Sequence, residues 1–201
     1  MYALKPWFVG RLRSCEEVLV ARRVSPNTIT LAAILASVMA GGVIAGGATF
    51  DRPLLWLAVL PLGVMRLALN ALDGSVARRL RMSSPRGAVL NELGDRACDL
   101  AVFAALVTVA PAWMVVTGIA AVTLTSTAGV MALAITGTRD TGGPMGKADR
   151  VVVLGLAGLV AAAIDSQTPF ILAIGAVICG CAITTWLRVS RISTEMPDVR
   201  Q

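Results

Sequence analysis

Asn70-Ala-Leu-Asp73-Gly74-Ser-Val-Ala77-Arg78, followed eight residues later by Gly87-Ala-Val-Leu-Asn91-Glu-Leu-Gly-Asp95, sets acids, amides and an arginine at helical spacing. On a helix Asn70, Asp73 and Ala77 stand at i, i+3 and i+7, close to one face, with Arg78 just beside it. Gly87, Asn91, Asp95 and Asp99 recur every fourth residue and stripe a second helix. The segment between, with Ser83-Ser84-Pro85, turns the chain back, so two antiparallel helices aim both stripes at one point. Four oxygen-bearing side chains (Asn70, Asp73, Asn91, Asp95) can then surround a hard divalent cation such as Mg2+ or Mn2+. Gly74 and Ala77 are small enough to let a large ligand reach the helix, and Arg78 can grip a phosphate bidentately.

The flanking sequence is apolar. The chain has 201 residues, 56% hydrophobic and 15% charged, with mean hydropathy +0.77, where a soluble domain is about 25% charged. Segments near the roughly 20 residues that cross a bilayer recur at 28–49, 53–75, 88–110, 112–136, 150–165 and 168–187. Helices satisfy their own backbone groups in lipid. The expectation is therefore an all-α integral membrane protein: a single domain over 1–201, with a six-helix bundle at 28–187 and a cytoplasmic tail at 188–201. Polar groups at membrane depth are costly, and their presence in the second and third spans marks a functional site.

Before the first span, Trp7, Phe8, Leu12, Val18 and Leu19 alternate with Arg11, Arg13, Glu16 and Glu17. That pattern reads as an amphipathic helix on the membrane surface, within 1–25, and is too charged for a cleavable signal sequence. Of the 18 Lys and Arg residues, Arg52 alone falls in the 49–53 connection; the others gather on the opposite side. This places both termini and the motif loop in the cytoplasm of a bacterial-type cell membrane. The net charge of +6 suits anionic lipid. No basic segment is interleaved with aromatics, which speaks against nucleic acid. There is no histidine, so acid–base chemistry falls to carboxylates, lysine or water. Cys15, Cys98, Cys179 and Cys181 lack metal-ligand spacing and read as small apolar fillers. Gly42-xxx-Gly46 and Gly155-xx-Gly158 suggest close helix packing, and a homodimer seam is an open alternative.

The motif resembles the signature of the CDP-alcohol phosphotransferase superfamily, D-x2-D-G-x2-A-R-x8-G-x3-D-x3-D. Every spacing from Asn70 to Asp95 agrees. Asp73, Gly74, Ala77, Arg78, Gly87 and Asp95 match in identity, while Asn70 and Asn91 replace the first and third acids. The likeness extends to the six-span layout, the preceding surface helix and Ser25-Pro26-Asn27-Thr28-Ile29-Thr30 opening the first span. It implies transfer of a substituted phosphate from a CDP-linked donor, usually CDP-diacylglycerol, to an acceptor alcohol, with CMP leaving, in phospholipid synthesis. By the same resemblance Asn70, Asp73, Asn91 and Asp95 hold Mg2+ or Mn2+. Asp95 is also a candidate general base, and Gly74, Ala77, Arg78 and Gly87 contact the nucleotide or its phosphates.

The two amides remove two negative charges from the presumed metal site and mark a variant subclass. Either one metal suffices, or Glu92 and Asp99 compensate. A second polar cluster, Arg139-Asp140-Thr-Gly-Gly-Pro-Met-Gly146-Lys147-Ala-Asp149-Arg150, lies at the same face. Arg139, Lys147 and Arg150 there are candidates for an acceptor or donor phosphate; positive-inside anchoring explains them equally well. The acceptor alcohol is not legible. Beside the enzyme reading stand a non-catalytic relative that binds a CDP-lipid or a partner through a weakened metal site, and a small transporter or scaffold. The transporter reading suffers because the polar groups cluster at one face only.

Overall fold

A computed structural model describes residue 10 and residues 12–195. All regular elements among them are helical: a short α1 (Arg13–Ala21), α2 (Pro26–Thr49), a 3-10 turn (Pro53–Ala58) leading directly into α3 (Val59–Arg79), α4 (Pro85–Ala105), α5 (Ala112–Thr136), α6 (Lys147–Ile164) and α7 (Thr168–Glu195). Four segments are long and apolar enough to cross a membrane: Pro26–Thr49, Pro53–Arg79, Ala112–Thr136 and Thr168–Thr194. Charge keeps the other two long helices out of that set. α4 carries Glu92, Asp95, Arg96 and Asp99, and α6 opens with Lys147, Asp149 and Arg150.

Local chemistry sets the helix ends. Ser25 is extended and hands Pro26 to the first turn of α2, where a missing N–H costs nothing. After α3, Arg81 adopts a left-handed φ of 55° and reverses the chain. The Ser84 hydroxyl then accepts the Gly87 N–H at 3.0 Å and Pro85 begins α4. Gly137, at φ 75°, stops α5. Asp149 reaches back to accept the Gly146 N–H at 2.9 Å at the start of α6, so it caps that helix instead of pairing with Arg150. α7 does not end near residue 187 as expected. Its continuation is anchored by buried Arg188, which donates to the Thr125 carbonyl at 2.6 Å and the Gly142 carbonyl at 3.0 Å. The expected tail thus begins as helix, and its last residues, 196–201, lie outside the described residues, as do 1–9 and 11 with Trp7 and Phe8. Within α1, Leu12, Leu19 and Val20 pack on Ile29, Leu72 and Val76.

α2 is the central support. The two motif helices, α3 and α4, each pack on α2 rather than on one another. Glycine makes the approach of α4 possible: a Cβ on Gly41 would lie 2.7 Å from the Ala101 carbonyl oxygen, and one on Gly94 would lie 2.8 Å from the Thr30 methyl. α6 closes on the 3-10 turn and α3 in the same way: a Cβ on Gly158 would lie 2.7 Å from the Trp56 carbonyl oxygen, and one on Gly155 would lie 3.0 Å from the Leu60 Cα. Within this chain the expected pair Gly42/Gly46 does not form the α2–α4 seam, since Gly42 faces open space. The apolar core fills the end of the bundle away from the motif. There Trp56 donates to the Ile44 carbonyl at 3.1 Å and meets Phe170 edge-on at 5.5 Å, beside Phe103, Leu106 and Ile174.

Gly41→Ala should therefore destabilise the protein by about 1–3 kcal/mol through overpacking, while Gly42→Ala should not lower stability. Thermal unfolding of both variants in detergent checks this. Equal midpoints would remove Gly41 from the α2–α4 seam.

Candidate active site

The motif residues converge at the end of the bundle opposite the apolar core. Asp95 is 5% exposed. Its Oδ1 accepts the Asn70 amide at 2.7 Å from α3 and the Lys147 ammonium at 2.5 Å from α6. Asp73 is 4% exposed. Its Oδ2 accepts the Thr30 hydroxyl at 3.1 Å from α2, and it interacts electrostatically with both Asp95 and Lys147. Three helices and the start of a fourth thus meet on two carboxylates.

One turn further along α4, Asp99 sits between two arginines. Arg66 of α3 reaches Oδ1 at 2.6 Å and Arg150 of α6 reaches Oδ2 at 3.0 Å, all three side chains being buried. Arg66 also donates to the Asp95 backbone carbonyl at 3.4 Å. The triad ties α3, α4 and α6 together directly behind Asp95. The pairs that a purely structural reading would assign, Asp73 with Arg78 and Asp95 with Arg66, do not form as side-chain pairs.

The remaining candidates divide by exposure. Arg78 is exposed and makes no ion pair with the described residues; its guanidinium lies over half-buried Gly74, 3.5 Å from where a Cβ would be. Ala77 is half-buried and Gly87 lies at the mouth of the turn between α3 and α4. Arg139 pairs with Glu92 at 2.9 Å, and Glu92 is held from the other side by Arg96. Of the phosphate-binding candidates, Lys147 and Arg139 are therefore at the rim, while Arg150 is committed to Asp99. Glu92 and Asp99, considered above as substitutes for the missing acids, are both occupied by arginines. Thr30 was not singled out for a role from sequence; a hydroxyl one turn into an apolar helix was the available signal.

Two oxygens in this region are buried without a hydrogen-bond partner, Asp73 Oδ1 and Asn91 Oδ1. Leaving such an atom unsatisfied costs about 1–3 kcal/mol, and both are acceptor-only oxygens of the kind that hard divalent cations take. They fit a cation. Among the described residues, however, no group of three or more acids, histidines or cysteines is gathered as a metal cluster, so any such shell must include an amide.

Comparison with known proteins bears on the family and the fold. A family model described as CDP-alcohol phosphatidyltransferase matches residues 23–186. The chain is 36% identical over 164 residues to inner membrane protein YnbA of Escherichia coli (strain K12), covering 81% of this chain and 80% of that one. Its fold is that of Mycobacterium tuberculosis phosphatidylinositol phosphate synthase (PgsA1). The structure of that protein in complex with manganese and citrate aligns with TM-score 0.74 at 19% identity, covering 94% of this chain and 91% of that one. The structure with CDP-DAG bound aligns with TM-score 0.72 at 18% identity, covering 94% and 96%.

Asp99→Asn would leave Arg66 and Arg150 buried against a neutral amide, and removing one partner of a buried ion pair costs roughly 3–5 kcal/mol. The expected outcome is a large fall in thermal stability in detergent. A midpoint within error of the parent protein would mean that the triad does not tie the helices.

Proposed function

The chain belongs to the CDP-alcohol phosphatidyltransferase family and is a membrane-bound phosphatidyltransferase, and we propose that it moves the phosphatidyl group of CDP-diacylglycerol to an acceptor alcohol with release of CMP. All six long helices span the membrane as one domain, with α1 at its surface and with both termini and the motif turn in the cytoplasm. The support is the charge placement together with the burial of Asp95, Asp99 and Arg150 inside the bundle. The observation that carries the reading is the pair of partnerless oxygens, Asp73 Oδ1 and Asn91 Oδ1, beside a carboxylate already oriented by two donors.

Asp73 and Asn91, through the oxygens left without partners, would hold Mg2+ or Mn2+, while Asn70 donates its amide to Asp95. Such an ion, when bound, neutralises the bridging diphosphate and polarises the phosphorus. The chain's own residues do the rest. Arg78, lying over Gly74, grips a phosphate of the nucleotide, and the small side of α3 at Gly74 and Ala77, with Gly87 across the turn, admits the cytidine. Lys147 and Arg139, at the rim, draw in a phosphate of the acceptor or donor.

Asp95 is the general base. Asn70 and Lys147 both grip its Oδ1, which leaves Oδ2 to take the proton of the acceptor hydroxyl. That oxygen attacks the phosphatidyl phosphorus as the bond to the CMP oxygen breaks, and CMP departs with the bonding pair. Positioning and charge neutralisation dominate such a transfer. Arg66 and Arg150 do not reach the reacting atoms; through Asp99 and the Asp95 carbonyl they fix where α4 presents its base. The paired amides at 70 and 91 define a subclass in which the amide of Asn70 orients the base where an acid could not donate.

CMP release in mixed micelles with CDP-diacylglycerol and Mn2+, across a panel of acceptor alcohols, tests the reading. Acceptor-dependent CMP should fall about 10²–10⁴-fold in Asp95→Asn, the usual contribution of a general base. Undiminished release in that variant would take the base away from Asp95. No release with any acceptor would refute the donor assignment.

A further inference from the structure

The charges of the site cancel. Asp73, Asp95 and Asp99 supply three negative charges, and Arg66, Arg150 and partly exposed Lys147 supply three positive ones; Arg66 and Arg150 hold Asp99, Lys147 holds Asp95, and Asp73 meets the Thr30 hydroxyl. The rim is positive: Arg78 has no counter-ion among the described residues, and Glu92 faces both Arg96 and Arg139. A divalent cation entering alone would bring uncompensated charge into a neutral, largely dehydrated cluster below a positive rim. Burying charge without compensation costs several kcal/mol per ion, and the partnerless oxygens of Asp73 and Asn91 supply one negative charge between them.

The diphosphate of a CDP-linked lipid carries one negative charge on each phosphate. Together, one divalent cation and one such diphosphate add no net charge. From this balance, and resting on the donor class proposed above, we propose that the site binds a single divalent cation only together with the donor's diphosphate, Lys147 taking the place that a further cation would occupy beside Asp95. Binding of cation and donor is then mutually dependent, because coupling between two ligands is reciprocal. The amides are what enforce this. Asp at 70 and 91 would add two negative charges with almost no change of shape, and the vacant cluster would then attract a cation by itself.

The experiment is Mn2+ binding to the full-length protein in detergent micelles, read from loss of the free-ion electron paramagnetic resonance signal. It is done alone, with CDP and with CDP-diacylglycerol, against protein-free controls for Mn2+–nucleotide association. The expected result is weak binding alone and one Mn2+ per chain with the donor, tightened roughly tenfold or more. Asn70→Asp combined with Asn91→Asp should bind Mn2+ without nucleotide and lose most of that coupling. Lys147→Gln, which removes the positive charge beside Asp95 and leaves both amides in place, should move in the same direction and serves where the double variant does not fold. Equal Mn2+ affinity with and without donor, or two Mn2+ per chain in the parent protein, would overturn the inference while leaving the transferase reading intact. Saturable CDP-diacylglycerol binding with no Mn2+ taken up would overturn both this inference and the metal assignment, and the CMP assay above separates that case from a loss of the donor site.

Discussion

A carboxylate shut inside a helix bundle keeps its charge only when cations stand against it, and most of this molecule is arranged around that requirement at Asp99. Arg66 comes from α3 and Arg150 from α6, and each takes one oxygen. Neither arginine belongs to the recognised motif. The triad and the Lys147–Asp95 pair, one turn apart on α6, together fix the height of that helix against α4. The placement of Asp95 therefore depends on a neighbour one turn away as well as on its own partners. Buried ion pairs of this kind contribute little net stability compared with apolar packing, and they are best understood as setting register.

The division of the bundle into two ends follows from the same economy of burial. At one end Trp56, Phe103, Leu106, Phe170 and Ile174 interlock, and the polar groups that remain there, such as the Trp56 N–H, find a backbone carbonyl. At the other end charge replaces hydrocarbon, and each buried group except a few is paired. The exceptions are informative. The Nε atoms of Arg66 and Arg150 lack partners, as do one oxygen of Asp73 and one of Asn91. The arginine atoms lie on groups already bound through their terminal nitrogens. The two oxygens belong to motif side chains, one on α3 and one on α4, so the unsatisfied acceptors of this end lie on the two helices that carry the motif.

The helical class, the motif helices and their convergence were legible because periodicity carries them: i, i+3 and i+4 spacing fixes a face whatever surrounds it. What surrounds it was not legible. Arg150 and Lys147 stand three residues apart in one basic cluster, and nothing in that cluster says that one is buried on Asp99 and the other reaches Asp95. Gly41 and Gly42 are adjacent, and only the packing of α4 decides that the first is the seam. α7 reads as ending where charge begins at Arg188, yet that arginine is absorbed by two carbonyls from other segments. In each case local sequence gives the residue type, while the partner comes from far along the chain.

The amides at 70 and 91 show how a substitution of one atom group can redistribute work within a site. An aspartate at 70 facing Asp95 would repel it, and a cation would be needed between them. Asparagine donates to Asp95 directly, so that carboxylate is oriented by the protein alone. Lys147 adds a second donor on the same oxygen, which offsets the charge of Asp95 without a metal. At Asn91 the amide oxygen still faces inward unpartnered, so the capacity to ligate survives there with its charge removed. The two replacements are thus not equivalent: at 70 the amide N–H is spent on a neighbouring carboxylate, while at 91 the amide oxygen is left without a partner. A carboxylate restored at either place would add charge with almost no change of shape, but only at 70 would it also take a donor away from Asp95.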